Sequence, residues 1–259
     1  MEHAKQIAIE ILEGIDYCTE SIPESSVPHE KRADISANGT DDRYVIEVKH
    51  RFDDPIRKQG INERLANGEV VSTEEPLCYS NRVDAILRHG LKQINKTPKT
   101  ADTFNLLWLH ADGMDADLKA RRARNTFYGL VHLVPRMLES PDARQTQCFY
   151  FDHNTSIRLP TVHGLVIVDG EYLEICINEF AESADAFRKS SLITKLGNAV
   201  TDPLQLESTG DAIVLRSDVS RSDEQLVLQK IYELTSNRYT PIRLKRHASS
   251  AAVAPRNAT

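Results

Sequence analysis

The sequence predicts an α/β fold: a mixed central β-sheet flanked by helices, followed by a C-terminal α/β extension. Three observations carry this reading. Apolar residues recur with the helical period in the opening stretch and again near residue 90. Short apolar runs bounded by turn residues lie between and after these stretches. The resulting order (helix, strands, helix, strand, helix) is that of a sheet covered by helices.

From about Glu2 to Tyr17, the residues Ala4, Ile7, Ala8, Ile11, Leu12 and Ile15 form one apolar stripe, the signature of an amphipathic helix. A loop bearing Ser, Pro and Glu follows, from Ser21 to Pro28. Two short strands are expected around Arg32–Ala37 and Arg43–His50, joined by Asn38-Gly39-Thr40-Asp41-Asp42, where Asn-Gly is a hairpin signal. Residues 53–79 are polar and carry Pro55, Gly60, Gly68 and Pro76, so they read as a long loop with one or two helical turns. The next helix, over 83–97, places Val83, Ile86, Leu87, Leu91 and Ile94 on one face. Ser80 or Asn81 caps it and Pro98 ends it. Phe104–Leu109 reads as a buried strand, with a helical stretch near Asp115–Tyr128 behind it.

Further on, Val162–Val168 and Glu171–Ile177 flank Asp169-Gly170, a second hairpin signal. The last helix is expected to start at Ser222, with Gln225 completing a capping box, and to bury Val227, Ile231 and Leu234. Residues from about Ala248 are small and polar and read as a disordered tail over 248–259. The expected organisation is one domain over 1–247, with a core over about 1–135 and an extension over about 136–247.

The 259 residues are 40% hydrophobic and 27% charged, as in ordinary globular proteins. No run of about 18 apolar residues is present and the N-terminus lacks the apolar core of a signal peptide, so no membrane role is expected. Cys18, Cys78, Cys148 and Cys176 are far apart, with no C-x-x-C pair. This argues against a zinc ribbon or disulfide framework and suits buried free thiols in a reducing cytoplasm. The net charge of −6 argues against bulk attraction to nucleic acid. Its distribution is uneven, however: residues 1–48 hold 4 basic against 11 acidic side chains, residues 49–99 hold 10 against 7, and residues 119–136 hold 5 against none. That distribution fits carboxylates beside a phosphate-binding surface, and equally a scatter of solvated charge.

The chemically informative stretch is Asp34, twelve intervening residues, then Glu47-Val48-Lys49. In a strand, Glu47 and Lys49 share a face while Ile46 and Val48 take the other. Asp34, on the neighbouring strand, comes alongside them. Two carboxylates suit a hard cation such as Mg²⁺ or Mn²⁺, and the Val48 carbonyl offers a further oxygen. Lys49 is suited to orient or help deprotonate water and to balance charge on phosphate. The same three residues also suit a surface ion pair with a solvated turn aspartate.

This pattern, between an opening helix carrying glutamate and a later helix, resembles the PD-(D/E)xK nuclease superfamily over roughly residues 5–110. The resemblance implies a restriction-endonuclease-like core and metal-dependent cleavage of phosphodiester bonds, most readily in DNA. It matches Asp34, Glu47 and Lys49 to the motif, Glu10 to the acid of the first helix, and Gln93 to a glutamine that some members carry on the second core helix. Ala33 stands where the motif has proline. Cutting both strands of a duplex takes two active sites, so a homodimer is compatible with the family.

Arg88, Lys92 and Lys96 lie four apart on one helix face, and Arg121, Arg122 and Arg124 form a second basic cluster. Both are candidate phosphate contacts, with a plain solvated face as the alternative. The stretch His110–Asp117 lacks the EF-hand spacing and reads as a strand end followed by a helix cap. His50, His89, His132, His153 and His163 show no H-x-x-H spacing, and no zinc role is expected for them. Walker A, Rossmann and G-x-S-x-G patterns are absent. The alternative function is a catalytically inactive nuclease-fold protein serving as a nucleic-acid-binding or assembly module.

Overall fold

A computed structural model describes residues 2–113, 115–136, 144–170, 172–242 and 248–252. It is an α/β protein built on a mixed seven-stranded sheet with helices on both faces.

Helix α1 (Glu2–Glu13) opens the chain and buries Ala4, Ala8 and Leu12. It stops short of Tyr17, and strand β1 (Cys18–Ser21) follows, an element the local pattern does not predict; its last residue, Ser21, falls at the start of the expected loop. Strands β2 (Ile35–Asn38) and β3 (Arg43–Arg51) form the expected hairpin, with Asn38 opposite Arg43 and the Gly39 N–H donating to Asp42 O at 2.9 Å. β1 adds antiparallel to the outer edge of β2.

The polar stretch after β3 is more ordered than its composition suggests. Pro55–Ala66 form helix α2, which buries none of its side chains, and Val71–Glu75 form strand β4. Asp54 caps the helix by accepting from the Ile56 N–H at 2.9 Å, and Pro55 sits in the first turn, where its missing N–H costs nothing. Helix α3 (Asn81–Lys96) follows. Its cap is Ser80, which accepts from Val83 N, and it buries Val83, Leu87 and Ile94.

Strand β5 (Thr103–Ala111) lies parallel to β3, with Glu47 beside Leu107 and His50 beside His110. Helix α4 (Ala116–Tyr128) ends at Gly129, whose positive φ of 60° closes it as a left-handed cap. Strands β8 (Gly164–Val168) and β9 (Leu173–Ile177) form the Asp169-Gly170 hairpin, β8 running parallel to β5. Short β10 (Val200–Thr201) completes the sheet beside β9, giving the order β1-β2-β3-β5-β8-β9-β10.

Alternation along β3 and β5 sends side chains to two cores. Val45, Leu107 and Leu109 join Leu87 of α3 and Phe127 of α4 on one face. Tyr44, Ile46, Val48 and Trp108 join Ala4, Ala8 and Leu12 of α1 on the other, with Phe187 of α5 (Ala184–Arg188) and Leu192 of α6 (Ser191–Lys195).

The C-terminal half builds a second sheet. Strands β6 (Val131–Pro135), β7 (Thr146–Phe149), β11 (Ala212–Val214) and β12 (Tyr239–Ile242) take the order β11-β7-β6-β12. Helix α7 (Pro203–Thr209) leads into β11, and α8 (Glu224–Leu234) covers the sheet with Val227 and Ile231. The cap of α8 is Asp223, which accepts from Leu226 N at 3.1 Å, so the helix starts one residue later than the Ser222 capping box predicts. Leu234 is 57% exposed, not buried. The expected tail also differs: Ala248–Ala252 form β13, antiparallel to β4, while 253–259 lie outside the described residues. Of the free cysteines, Cys148 and Cys176 are buried as expected, Cys78 is half-buried and Cys18 is exposed. No helix among the described residues is long and apolar enough to cross a membrane.

Candidate functional site

Asp34 precedes β2 and is clamped by backbone on both sides. Its N–H donates to Ile46 O at 3.0 Å and its carbonyl accepts from Ile22 N at 3.0 Å. With Ile35 paired to Ile46, Asp34 falls beside Glu47, and its Oδ2 accepts from the Val48 N–H at 2.8 Å. Glu47 and Lys49 share the α3 face of β3. The Lys49 ammonium bonds Glu47 Oε1 and also donates to Gln93 Oε1 at 2.6 Å. Gln93 in turn donates to Arg32 O at 3.3 Å. The structure therefore brings Asp34, Glu47, Lys49 and Gln93 together from three elements.

Close approach of α3 makes this possible. A Cβ at Gly90 would stand 2.5 Å from Leu107 Cδ2, 3.3 Å from Glu47 Cγ and 3.4 Å from Lys49 Cε. Only a residue without a side chain lets the helix lie this near the motif strand. Sequence reasoning passed over Gly90; the signal was a glycine inside an otherwise strong helix.

Glu47 is 1% exposed, and its Oε2 has no hydrogen-bond partner among the described residues. Burial raises its pKa to about 8. The Lys49 ammonium opposes this rise and the Asp34 carboxylate adds to it. A buried carboxylate oxygen without a partner, beside a second carboxylate, is an environment that a small divalent cation stabilises. The donor set therefore fits Mg²⁺ or Mn²⁺.

A cavity of about 750 Å³ opens beside the cluster. Asp34, Lys49, Gln93 and His89 line it from the sheet and α3, and the 22–33 loop forms its outer wall. Glu47 lies behind Lys49, outside the lining. Glu2 and Lys5 are the α1 residues that reach the cavity, whereas Glu10 is exposed, is bonded to Gln6 at 3.1 Å and does not line it.

The basic residues divide. Lys92 and Lys96 are exposed on α3, the helix that carries Gln93 and His89 to the cavity, but neither lines it. Arg88 is held by the buried Asp84 at 2.7 Å. Arg124 points to Glu174 of β9 at 3.4 Å, Arg122 is half-buried, and Arg121 is exposed; the cavity lining includes none of the three.

Compared with known protein families, curated proteins and solved structures, the chain gives no match.

Proposed function

We propose that the protein is a metal-dependent nuclease of the PD-(D/E)xK type, with a restriction-endonuclease-like core, acting on nucleic acid and most readily on DNA. One observation carries this reading: Asp34, the Glu47–Lys49 pair of β3 and Gln93 of α3 converge beside a cavity large enough for a nucleotide. Asp34 and Glu47, with the Val48 carbonyl, would hold Mg²⁺ or Mn²⁺. When bound, that ion supplies Lewis acidity and neutralises phosphate charge.

The remaining work falls to the chain itself. Hydrolysis forms a phosphorus–oxygen bond to water and breaks one to the leaving sugar oxygen. Lys49, on the cavity wall, is suited to orient that water and to donate to a phosphate oxygen. Gln93 aims the ammonium by accepting one of its hydrogens. Lys92 and Lys96 would contact the backbone of a bound strand, setting position but not sequence.

One observation favours the inactive binding-module reading instead: Glu47 is sealed behind Lys49, which it pairs. Cleavage assays separate the two. Supercoiled plasmid, linear duplex, single-stranded DNA and RNA are incubated with Mg²⁺ or Mn²⁺ and the wild type, Lys49→Ala or Asp34→Ala. Metal-dependent cutting by the wild type, lost in both variants, is expected. Equal faint cutting by all three would refute the enzyme and leave the module.

A further inference from the structure

The neighbour of Lys49 on β3 faces the other way, and a second cluster of donor atoms lies there. Parallel pairing of β3 with β5 sets His50 beside His110, their rings 5.3 Å apart, at the ends of the two strands. Asp112 comes directly after β5, its N–H continuing the ladder by donating to Arg51 O at 2.8 Å. One donor atom from each of His50, His110 and Asp112 lies within 4.8 Å of the others.

The local chemistry leaves these donors to one another. His110 is 4% exposed, yet its Nδ1 has no hydrogen-bond partner among the described residues, and neither ring nitrogen of His50 has one. His50 Nε2 and Asp112 Oδ2 stand 3.6 Å apart, too far for a hydrogen bond. Ligands of a tetrahedral zinc-type ion, bound at about 2.0–2.1 Å, are separated by roughly 3.3 Å. The observed spacing is thus close to that of two ligands sharing an ion. The Asp112 carboxylate is braced for the task, because its Oδ1 accepts from the Gly113 N–H at 2.6 Å while Oδ2 faces His50. Gly113 adopts a φ of +93°, and a Cβ there would strike Asp53, so the turn that aims Asp112 needs a glycine. On the helix side, the His3 ring of α1 stands edge-on to His110 with centroids 6.0 Å apart.

We propose that His50, His110 and Asp112 form a second metal site, on the α1 face of the sheet, for a divalent first-row transition ion of the zinc type, with solvent completing the coordination. Two imidazoles and one carboxylate select such an ion over Mg²⁺, which prefers an all-oxygen shell. The site is separate from the Asp34–Glu47 cluster because adjacent residues of one strand point to opposite faces. It bridges the ends of β3 and β5, the two strands that back the candidate catalytic face.

The test is titration of the whole protein with Co²⁺, read by visible absorption and by calorimetry, in parallel on the wild type, His50→Gln, His110→Gln, Asp112→Asn and the double variant Asp34→Ala/Glu47→Gln. The wild type should bind one equivalent that gives tetrahedral-type d–d bands, with excess Mg²⁺ present to fill the other cluster. Those bands should persist in the double variant and weaken by at least about tenfold in affinity, or about 1.4 kcal/mol, in each of the other three. Far-ultraviolet circular dichroism identifies the folded variants, and exposed Asp112→Asn keeps the test decisive if a histidine variant unfolds. Absence of Co²⁺ bands in the wild type overturns the site. So does binding that Asp112→Asn and the folded histidine variants leave unchanged, or binding that only the double variant removes.

Discussion

Glu47 concentrates the tension of the candidate site in one side chain. Its carboxyl is raised from 4.5 to about 8, chiefly by burial. A native state that holds its proton more tightly than the unfolded chain gains stability below pH 4.5 and loses that gain as pH rises through about 8. Glu47→Gln removes the ionisation while keeping the shape. Without added metal it should change stability little at pH 4.5 and stabilise the protein by as much as about 4–5 kcal/mol at pH 8.5, raising the melting temperature by several degrees or more. Calorimetry at both pH values decides this, and an equal shift at the two would show that ionisation is not the cause. The residue was legible in the sequence, because Glu-x-Lys at the end of an apolar strand predicts a shared face. Its burial was not, since that depends on α3 lying across it.

Two glycines show how differently one residue type acts in two helices. Gly60 in the exposed α2 has nothing within 4 Å of where a Cβ would stand, whereas Gly90 in α3 meets Leu107, Glu47 and Lys49. Gly60→Ala should therefore stabilise the protein by about 0.5–1 kcal/mol through helix propensity and unfolded-state entropy. Gly90→Ala should destabilise it by about 1–3 kcal/mol despite the same propensity gain, because α3 must move away from the sheet. Urea denaturation of the two variants tests the pair; a stabilising Gly90→Ala would mean that the helix approach tolerates a methyl group. α3 was readable as an element because its apolar stripe is strong. α2 is longer than the one or two helical turns expected within that loop for the converse reason: it buries no side chain and so carries no periodic pattern, leaving only Asp54 and Pro55 as a start signal.

At the scale of the molecule, Asp42 joins parts of the chain that the sequence does not connect. It reads as a turn residue of the Asn-Gly hairpin, yet it is 6% exposed and accepts from Tyr17 at 3.1 Å, Tyr44 at 2.7 Å and the Ser191 N–H at 2.7 Å. The bond to Ser191 ties the β2–β3 turn to the start of α6, 149 residues later. Asp42→Ala leaves these donors unpaired where water scarcely reaches, and a loss of about 2–4 kcal/mol in urea unfolding is expected. A loss under about 0.5 kcal/mol would mean that the donors find water instead.

By itself, the sequence determined the α/β class, the first helix, α3, both hairpins and the grouping of Asp34, Glu47 and Lys49. These follow from local periodicity, turn chemistry and the two-residue repeat of a strand, each legible within about twenty residues. The tertiary structure alone decided which helix face meets the site, that Glu2 and not Glu10 approaches the cavity, and that β13 returns to β4. It also decided that His50 and His110, sixty positions apart, stand side by side. Strand register between distant segments is set by how whole elements pack, and no local spacing in the chain records it.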